Sequence, residues 1–383
     1  MSEGHRRGSF WPSPTQRALL DVVLGPVDQA RPRWETLQPL DITTLEMGSF
    51  GLLPLLYERL HQIKPDEPQL PRLFGTYRSV WYRNQLFLDR LTVLLPLLRQ
   101  RARVQPLLVG GMSALLRWYP RLGLRPVPQA ELIVERETVA DVVKVAGYAG
   151  WQATQQTPML TRLRDEGGRL LVIHHGLPLL VAGPLRQDGL RLFRGRALEL
   201  SEVEAAPLVA HAADELLFTC ALSARTVALP SCQWLIDIHH LLRSGELPAS
   251  EEVLDRASRF HLVPQLRATV AYLAEICDDD LTGKLLSGLD SQPTSRRDRL
   301  AFRLAGAEGR RKVPPAQLLA IHLQATADEP FRRVVTRLPR TLQEFWGAHN
   351  LWQVSTLSLR KIARLAGRAN KSSPAVRSDS ASS

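Results

Sequence analysis

Between Pro106 and Val134 the chain reads PLLVGGMSALLRWYPRLGLRPVPQAELIV, and this stretch constrains the fold more than any other. An apolar run ends at Gly110-Gly111, a short helical segment carries Trp118-Tyr119-Pro120, and a second apolar run holds Gln129 and Glu131 two positions apart. Glycines permit a sharp turn, and a helix that begins there aims its first N–H groups into the turn. Residues i and i+2 of a strand project to the same face. The order predicts a strand, a tight turn, a helix and a second strand presenting two polar side chains together.

Periodicity divides the rest of the chain. From Ser13 to about Gln100 the pattern is helical: Ser13-Pro14-Thr15-Gln16 is a capping box with proline at the first helical position, followed by Leu19, Leu20, Val23 and Leu24. A second stripe runs through Leu86, Leu88, Leu91, Leu94, Leu95 and Leu98. Short apolar runs then alternate with turns at Val104–Val109, Ala130–Glu135, Trp151–Thr154, Leu160–Leu163 and Leu170–His174, with a helix predicted over Thr138–Ala149. Asp165-Glu166-Gly167-Gly168 signals a hairpin. From Ser201 the pattern is helical again, with a second capping box at Ser201-Glu202-Val203-Glu204 and a helix starting at Ser250-Glu251-Glu252. The expected division is an N-terminal helical region over residues 1–100, a mixed-sheet core over 101–200, a C-terminal helical domain over 201–330 and a basic tail over 331–383, its last part from Lys371 disordered.

The order strand, Gly-Gly, helix, strand with two polar positions resembles the polymerase-β-type nucleotidyltransferases. There a turn of Gly followed by Gly or Ser precedes a strand with alternating aspartates. More closely, the chain is similar to a bacterial family of uncharacterised nucleotidyltransferases, in which the strand reads Arg-Pro-x-x-Asp-hydrophobic-Asp. The likeness runs from about Ser13 to Asp278: GLLPLLYERL at Gly51–Leu60, YRSVWYRN at Tyr77–Asn84, AHAADELLFTCALS at Ala210–Ser223 and WLIDIHHLL at Trp234–Leu242, with Asp237 in the family's aspartate position and Ser223 in place of its histidine. The resemblance implies an α+β fold, a small mixed β-sheet nucleotidyltransferase core flanked by N-terminal and C-terminal helical regions.

It also implies a site. Nucleotidyl transfer of this type uses two Mg²⁺ ions roughly 3.5–4 Å apart, held by hard carboxylate oxygens. Here the two aspartate positions hold Gln129, which keeps an oxygen without the charge, and Glu131, whose carboxylate stands one methylene further out. A third acid from a later strand, Asp-x-His in the family, corresponds to Val172 and His174 in RLLVIHHGL. Gly110 stands where the family has lysine, so a charge facing phosphate is missing. Gly110, Gly111 and Ser113 could still cradle a triphosphate, Arg125 could contact it, and Asp237 could line the nucleotide cleft or pair with an arginine such as Arg225. Strand alternation places Glu135 on the Glu131 face, a conceivable relocated acid pair.

The 383 residues carry a net charge of +11, and residues 331–383 hold ten Lys/Arg against Glu344 and Asp379. Arg296-Arg297 and Arg310-Arg311-Lys312 lie just upstream. The amphipathic segment LSLRKIARLA at Leu357–Ala366, with Trp346 and Trp352 nearby, suits a nucleic-acid or anionic lipid surface, or else a solvated arginine-rich face. No apolar run reaches the ~18 residues of a membrane helix, and the N-terminus lacks the apolar segment of a secretory signal. Cys220, Cys232 and Cys277 have no metal spacing and fit a reducing cytoplasm as buried small side chains. His211 and Glu215, i and i+4 on one face, His239-His240 and His174-His175 invite a metal reading, but three convergent ligands are not apparent. The histidine pair at the strand end is expected with one ring in and one out.

Two functions remain open. In the first, a nucleotidyltransferase-family protein has lost metal catalysis and acts as a nucleotide-binding or scaffold protein for another protein. In the second, an active cytoplasmic enzyme uses Mg²⁺ on Glu131 to move NMP from an NTP to an acceptor in the kind of biosynthetic setting the family's relatives suggest. A third is nucleic-acid binding by the basic tail.

Overall fold

The structure, a computed structural model, describes residues 11–178, 181, 183–185, 188–223, 232–277, 280–306 and 315–346. Four helices come first: α1 (Pro14–Leu24), α2 (Val27–Thr36), α3 (Leu53–Ile63) and the long α4 (Leu70–Leu97). The box at Ser13 is made in full, Ser13 Oγ accepting from the Gln16 N–H at 3.2 Å and Gln16 Oε1 accepting from the Ser13 N–H at 3.1 Å. A π turn over Leu98–Ala102 ends α4 at Arg103, in the left-handed region with φ 54°.

The sheet follows: β1 (Leu107–Val109), α5 (Gly111–Trp118), β2 (Gln129–Val134), α6 (Val139–Tyr148), β3 (Gln152–Gln156), β4 (Leu160–Arg164), β5 (Leu170–His175), α7 (Gly189–Arg194), β6 (Leu198–Glu199) and β7 (Leu208–Val209). Its strand order is β3-β4-β5-β2-β1-β7-β6. β2 runs antiparallel to β1 and parallel to β5, placing Glu131 opposite Val109 on one side and Val172 on the other. β4 and β5 form the hairpin signalled by Asp165–Gly168, where Gly168 supplies the positive φ of 76°. The central strands are buried, whereas all five residues of the edge strand β3 are exposed. The fold is α+β, a seven-stranded mixed sheet embedded in helices.

Past the sheet come α8 (Ala212–Ser223), α9 (Gln233–Arg243), α10 (Ser250–Arg259), α11 (Val263–Cys277), α12 (Asp280–Ser291), α13 (Arg296–Ala305), α14 (Pro315–Ala325) and α15 (Phe331–Trp346). Helix α10 begins at Ser250 with Glu251 and Glu252 in its first turn, near its positive end. One hydrophobic cluster runs from Trp11 through the sheet to Ile321.

One expected helix start is absent. Ser201-Glu202-Val203-Glu204 is the loop of the β6–β7 hairpin: the Leu200 N–H bonds Pro207 O at 3.0 Å, and Ala205 and Ala206 both take positive φ. Here pairing of β7 with β1 overrides a local capping pattern, and the sheet continues past Leu200. Of the basic tail, α15 lies within the described residues, whereas Leu357–Ala366, Trp352 and Lys371–Ser383 lie outside them, as do Arg225 and Arg310-Arg311-Lys312. No described helix is long and apolar enough to cross a membrane.

Candidate functional site

The Gly-Gly turn and β2 meet as the sequence requires. Gly110, at φ 67° and ψ −142°, adopts a conformation L side chains rarely reach, and α5 begins at the next residue. A Cβ on Gly111 would stand 2.3 Å from Arg125 Nη1, so only glycine lets the Arg125 guanidinium lie against the start of α5. Arg125 itself is held by Asp237 in a bidentate pair, Nε to Oδ1 at 2.7 Å and Nη2 to Oδ2 at 2.6 Å. The Tyr119 hydroxyl donates to the same Oδ1 at 2.7 Å. Among the described residues the ion-pair partner of Asp237 is Arg125, from the loop before β2; Arg225, which the sequence suggested, lies outside them.

Helix α4 fixes that loop. Asn84 donates through Nδ2 to Leu122 O and Arg125 O, both at 2.7 Å, and accepts the Val127 N–H at 3.3 Å. Asn84 closes the YRSVWYRN segment, and this clamp is what the segment contributes to the sheet. An asparagine within a helix has no sequence feature that announces a backbone partner about forty residues away.

On the face of β2, Gln129 and Glu131 point the same way, as strand alternation dictates. Gln129 Nε2 donates to Glu131 Oε1 at 3.0 Å, and His174 Nε2 lies 2.7 Å from Glu131 Oε2. Both oxygens of the carboxylate are thus engaged by nitrogens on its own and the adjacent strand. Val172, in register with Glu131, places an apolar side chain where a further acid would have to stand.

The turn is occupied as well. The Gly110 N–H, which in a phosphate cradle would face the ligand, donates to Glu215 Oε1 of α8 at 2.6 Å. Burial pushes the Glu215 carboxyl up to about 8, against the opposing pull of the Gly110 N–H and Arg117. Its second oxygen has no hydrogen-bond partner among the described residues. Ser113 lies fully buried with its hydroxyl likewise unpartnered there. The signal for Glu215 was present: Asp214 and Glu215 interrupt an otherwise apolar run, which a buried helix tolerates only when the acids are bonded. Asp214 pairs with Arg256, and burial pushes it up to about 6.

The remaining candidates lie apart. Glu135 follows the end of β2 and pairs with Arg194, Oε1 to Nε at 2.8 Å, so it does not join Glu131 as a second acid. His211 meets Arg196 at 3.1 Å instead of sharing a ligand with Glu215. His239 Nδ1 is 3.2 Å from Cys277 Sγ, and His240 packs on the Tyr119 ring at 4.3 Å. His174 and His175 face opposite sides of the sheet, but both are buried, and His175 bonds Thr161 Oγ1 at 2.9 Å. Burial on both faces of β5 replaces the expected ring in solvent.

A Mg²⁺ pair asks for several hard, charged oxygens converging at octahedral angles. The positions at hand offer one carboxylate with both oxygens hydrogen-bonded, an amide and a valine. These residues do not fit that pair, and no group of three or more metal-binding side chains occurs among the described residues.

No curated protein and no solved structure matches the chain. The family model for uncharacterised nucleotidyltransferases matches residues 49–278, starting inside the span of the sequence likeness and ending with it. That match covers more than half of the chain and includes the Asn84 clamp, the Gly110 turn, β2, His174, Glu215 and Asp237. The chain belongs to the uncharacterised nucleotidyltransferase family.

Proposed function

We propose that this protein uses the nucleotidyltransferase fold to bind a nucleotide or a partner protein and does not perform metal-dependent nucleotidyl transfer. The observation that carries the reading is the inward hydrogen bonding of Glu131, whose oxygens are taken by Gln129 and His174. Asp237 neutralises Arg125, and Glu215 takes the N–H of the turn, so the groups that would hold metal and triphosphate are satisfied by protein. Opening them would cost desolvation and broken charge-assisted bonds that a working site would not carry. An active enzyme built on Glu131 and Glu135 would need Glu135 to leave Arg194, which lies with it at the other end of β2.

Incubation of the purified protein with each of the four NTPs and Mg²⁺ is expected to release no more pyrophosphate than the Glu131→Ala variant releases. Mg²⁺-dependent release by the wild type that the substitution abolishes would establish the enzymatic alternative.

A further inference from the structure

The sheet carries a cavity away from the Gly110 turn. β2 and β5 run parallel, and both end at the same side, at Val134 and His175. In open α/β sheets ligands favour the crevice outside the carboxyl ends of parallel strands. A cavity of about 940 Å³ opens there, between the turn after β2, Gly176 after β5, helix α7 and helix α15. This is the size of a small-molecule site. Glu135, the first residue past β2, lies four positions beyond Glu131, roughly 13 Å further on at strand spacing, so the cavity is separate from the Gly110 turn.

Its chemistry is sorted by type. Arg136, Arg191 and Arg340 line it without an ion-pair partner among the described residues. Two further arginines are anchored: Arg194 by Glu135, and Arg337 by Glu329. Glu137 and Asp188 stand on the same lining, so the charge is mixed with a small positive excess. Met159, Leu177, Leu185 and Leu190 supply an apolar portion, and a side chain added at Gly176 would meet nothing within 4 Å, leaving open space beside the backbone. The α15 wall is fixed by His322, buried beneath it, which bonds Thr341 Oγ1 at 2.9 Å and Val334 O at 2.7 Å. Arg297 braces the turn before α15 by donating to Thr326 O and Glu329 O, each at 2.8 Å.

We infer that this cavity binds a small nucleoside phosphate: unpaired guanidiniums for the phosphate, carboxylates for sugar hydroxyls, and the apolar portion for the base. Interspersed Glu137 and Asp188 would repel a long polyanion, which favours a small ligand over a nucleic-acid strand. The basic start of the C-terminal region thereby gains a role, since α15 brings Arg337 and Arg340 over the strand ends.

The test is calorimetry of the full chain in EDTA with AMP, GMP, CMP, UMP, inorganic pyrophosphate and adenosine. Wild type, Arg191→Gln/Arg340→Gln and Glu131→Ala are compared. Arg191 and Arg340 are exposed on two helices, so an unchanged melting temperature without ligand checks the fold of that variant. At least one nucleoside monophosphate is expected to bind the wild type, adenosine to bind at least tenfold more weakly, the double variant to lose tenfold or more, and Glu131→Ala to bind as the wild type does. Equal binding by the double variant, loss of binding in Glu131→Ala alone, or no binding of any phosphate probe at millimolar concentration would overturn the inference. So would salt-sensitive binding of single-stranded RNA in the absence of monophosphate binding. Loss in Glu131→Ala would locate the nucleotide at the Gly110 face and leave the proposed function standing, whereas failure of that function appears separately as pyrophosphate release.

Discussion

Asp237→Ala is expected to lower the free energy of unfolding by about 3–5 kcal/mol, the loss typical of breaking a buried ion pair from one side. The side chains of Arg125 and Asp237 are 8% and 5% exposed, and the pair is bidentate. Without Asp237 the guanidinium keeps the Pro126 carbonyl at 3.1 Å, and the Tyr119 hydroxyl loses the acceptor it donates to. Arg125 cannot turn aside cheaply, because Gly111 packs against it and Asn84 holds its carbonyl. Much of the loss reflects the uncompensated charge, so Arg125→Met/Asp237→Leu should recover most of it. Guanidinium unfolding of the three proteins measures both effects. A loss under about 1 kcal/mol for Asp237→Ala would mean that the pair behaves like an exposed one.

Glu215→Gln is expected to make the protein more stable at pH 9, by on the order of 3–5 kcal/mol, and to change little at pH 5. The Glu215 carboxyl is pushed from its ordinary 4.5 up to about 8 by burial. The native state therefore holds this proton more tightly than the unfolded chain. Stability is full below about 4.5, falls as pH rises toward 8, and is level above that. Asp214, pushed up to about 6, acts in the same sense at lower pH. The difference between variant and wild type isolates Glu215, because glutamine mimics the protonated acid and can still accept the Gly110 N–H. Denaturant melts at pH 5, 7 and 9 would show the gap opening with pH. A gap that stays constant would mean that Glu215 is ionised in the fold throughout.

The parts of this fold that were legible are those written locally. Alternating runs and the Asp165–Gly168 turn describe strands and a hairpin without reference to anything distant. Aligning Val172 with the acid position agrees with the register observed, in which it stands beside Glu131. Ser201–Glu204 shows the limit, since its capping pattern competed with strand pairing to β1 and lost.

The site was harder to read because its bonds join residues far apart in sequence. Nothing in the chain distinguishes Arg125 from Arg225 as the partner of Asp237, and nothing near Gly110 indicates that an acid 105 positions later takes its N–H. Composition suggested a basic tail acting outward. In the structure Arg337 and Arg340 of its first helix line a cavity at the strand ends, on a helix that His322 bonds through Thr341.

The most direct test of the central claim is isothermal titration of each NTP into wild type and Glu131→Ala, with and without Mg²⁺. A protein that binds without a metal-held triphosphate should give an affinity that Mg²⁺ does not change by more than about threefold, under ~0.7 kcal/mol. NTP binding that requires Mg²⁺ and disappears with Glu131 would contradict it.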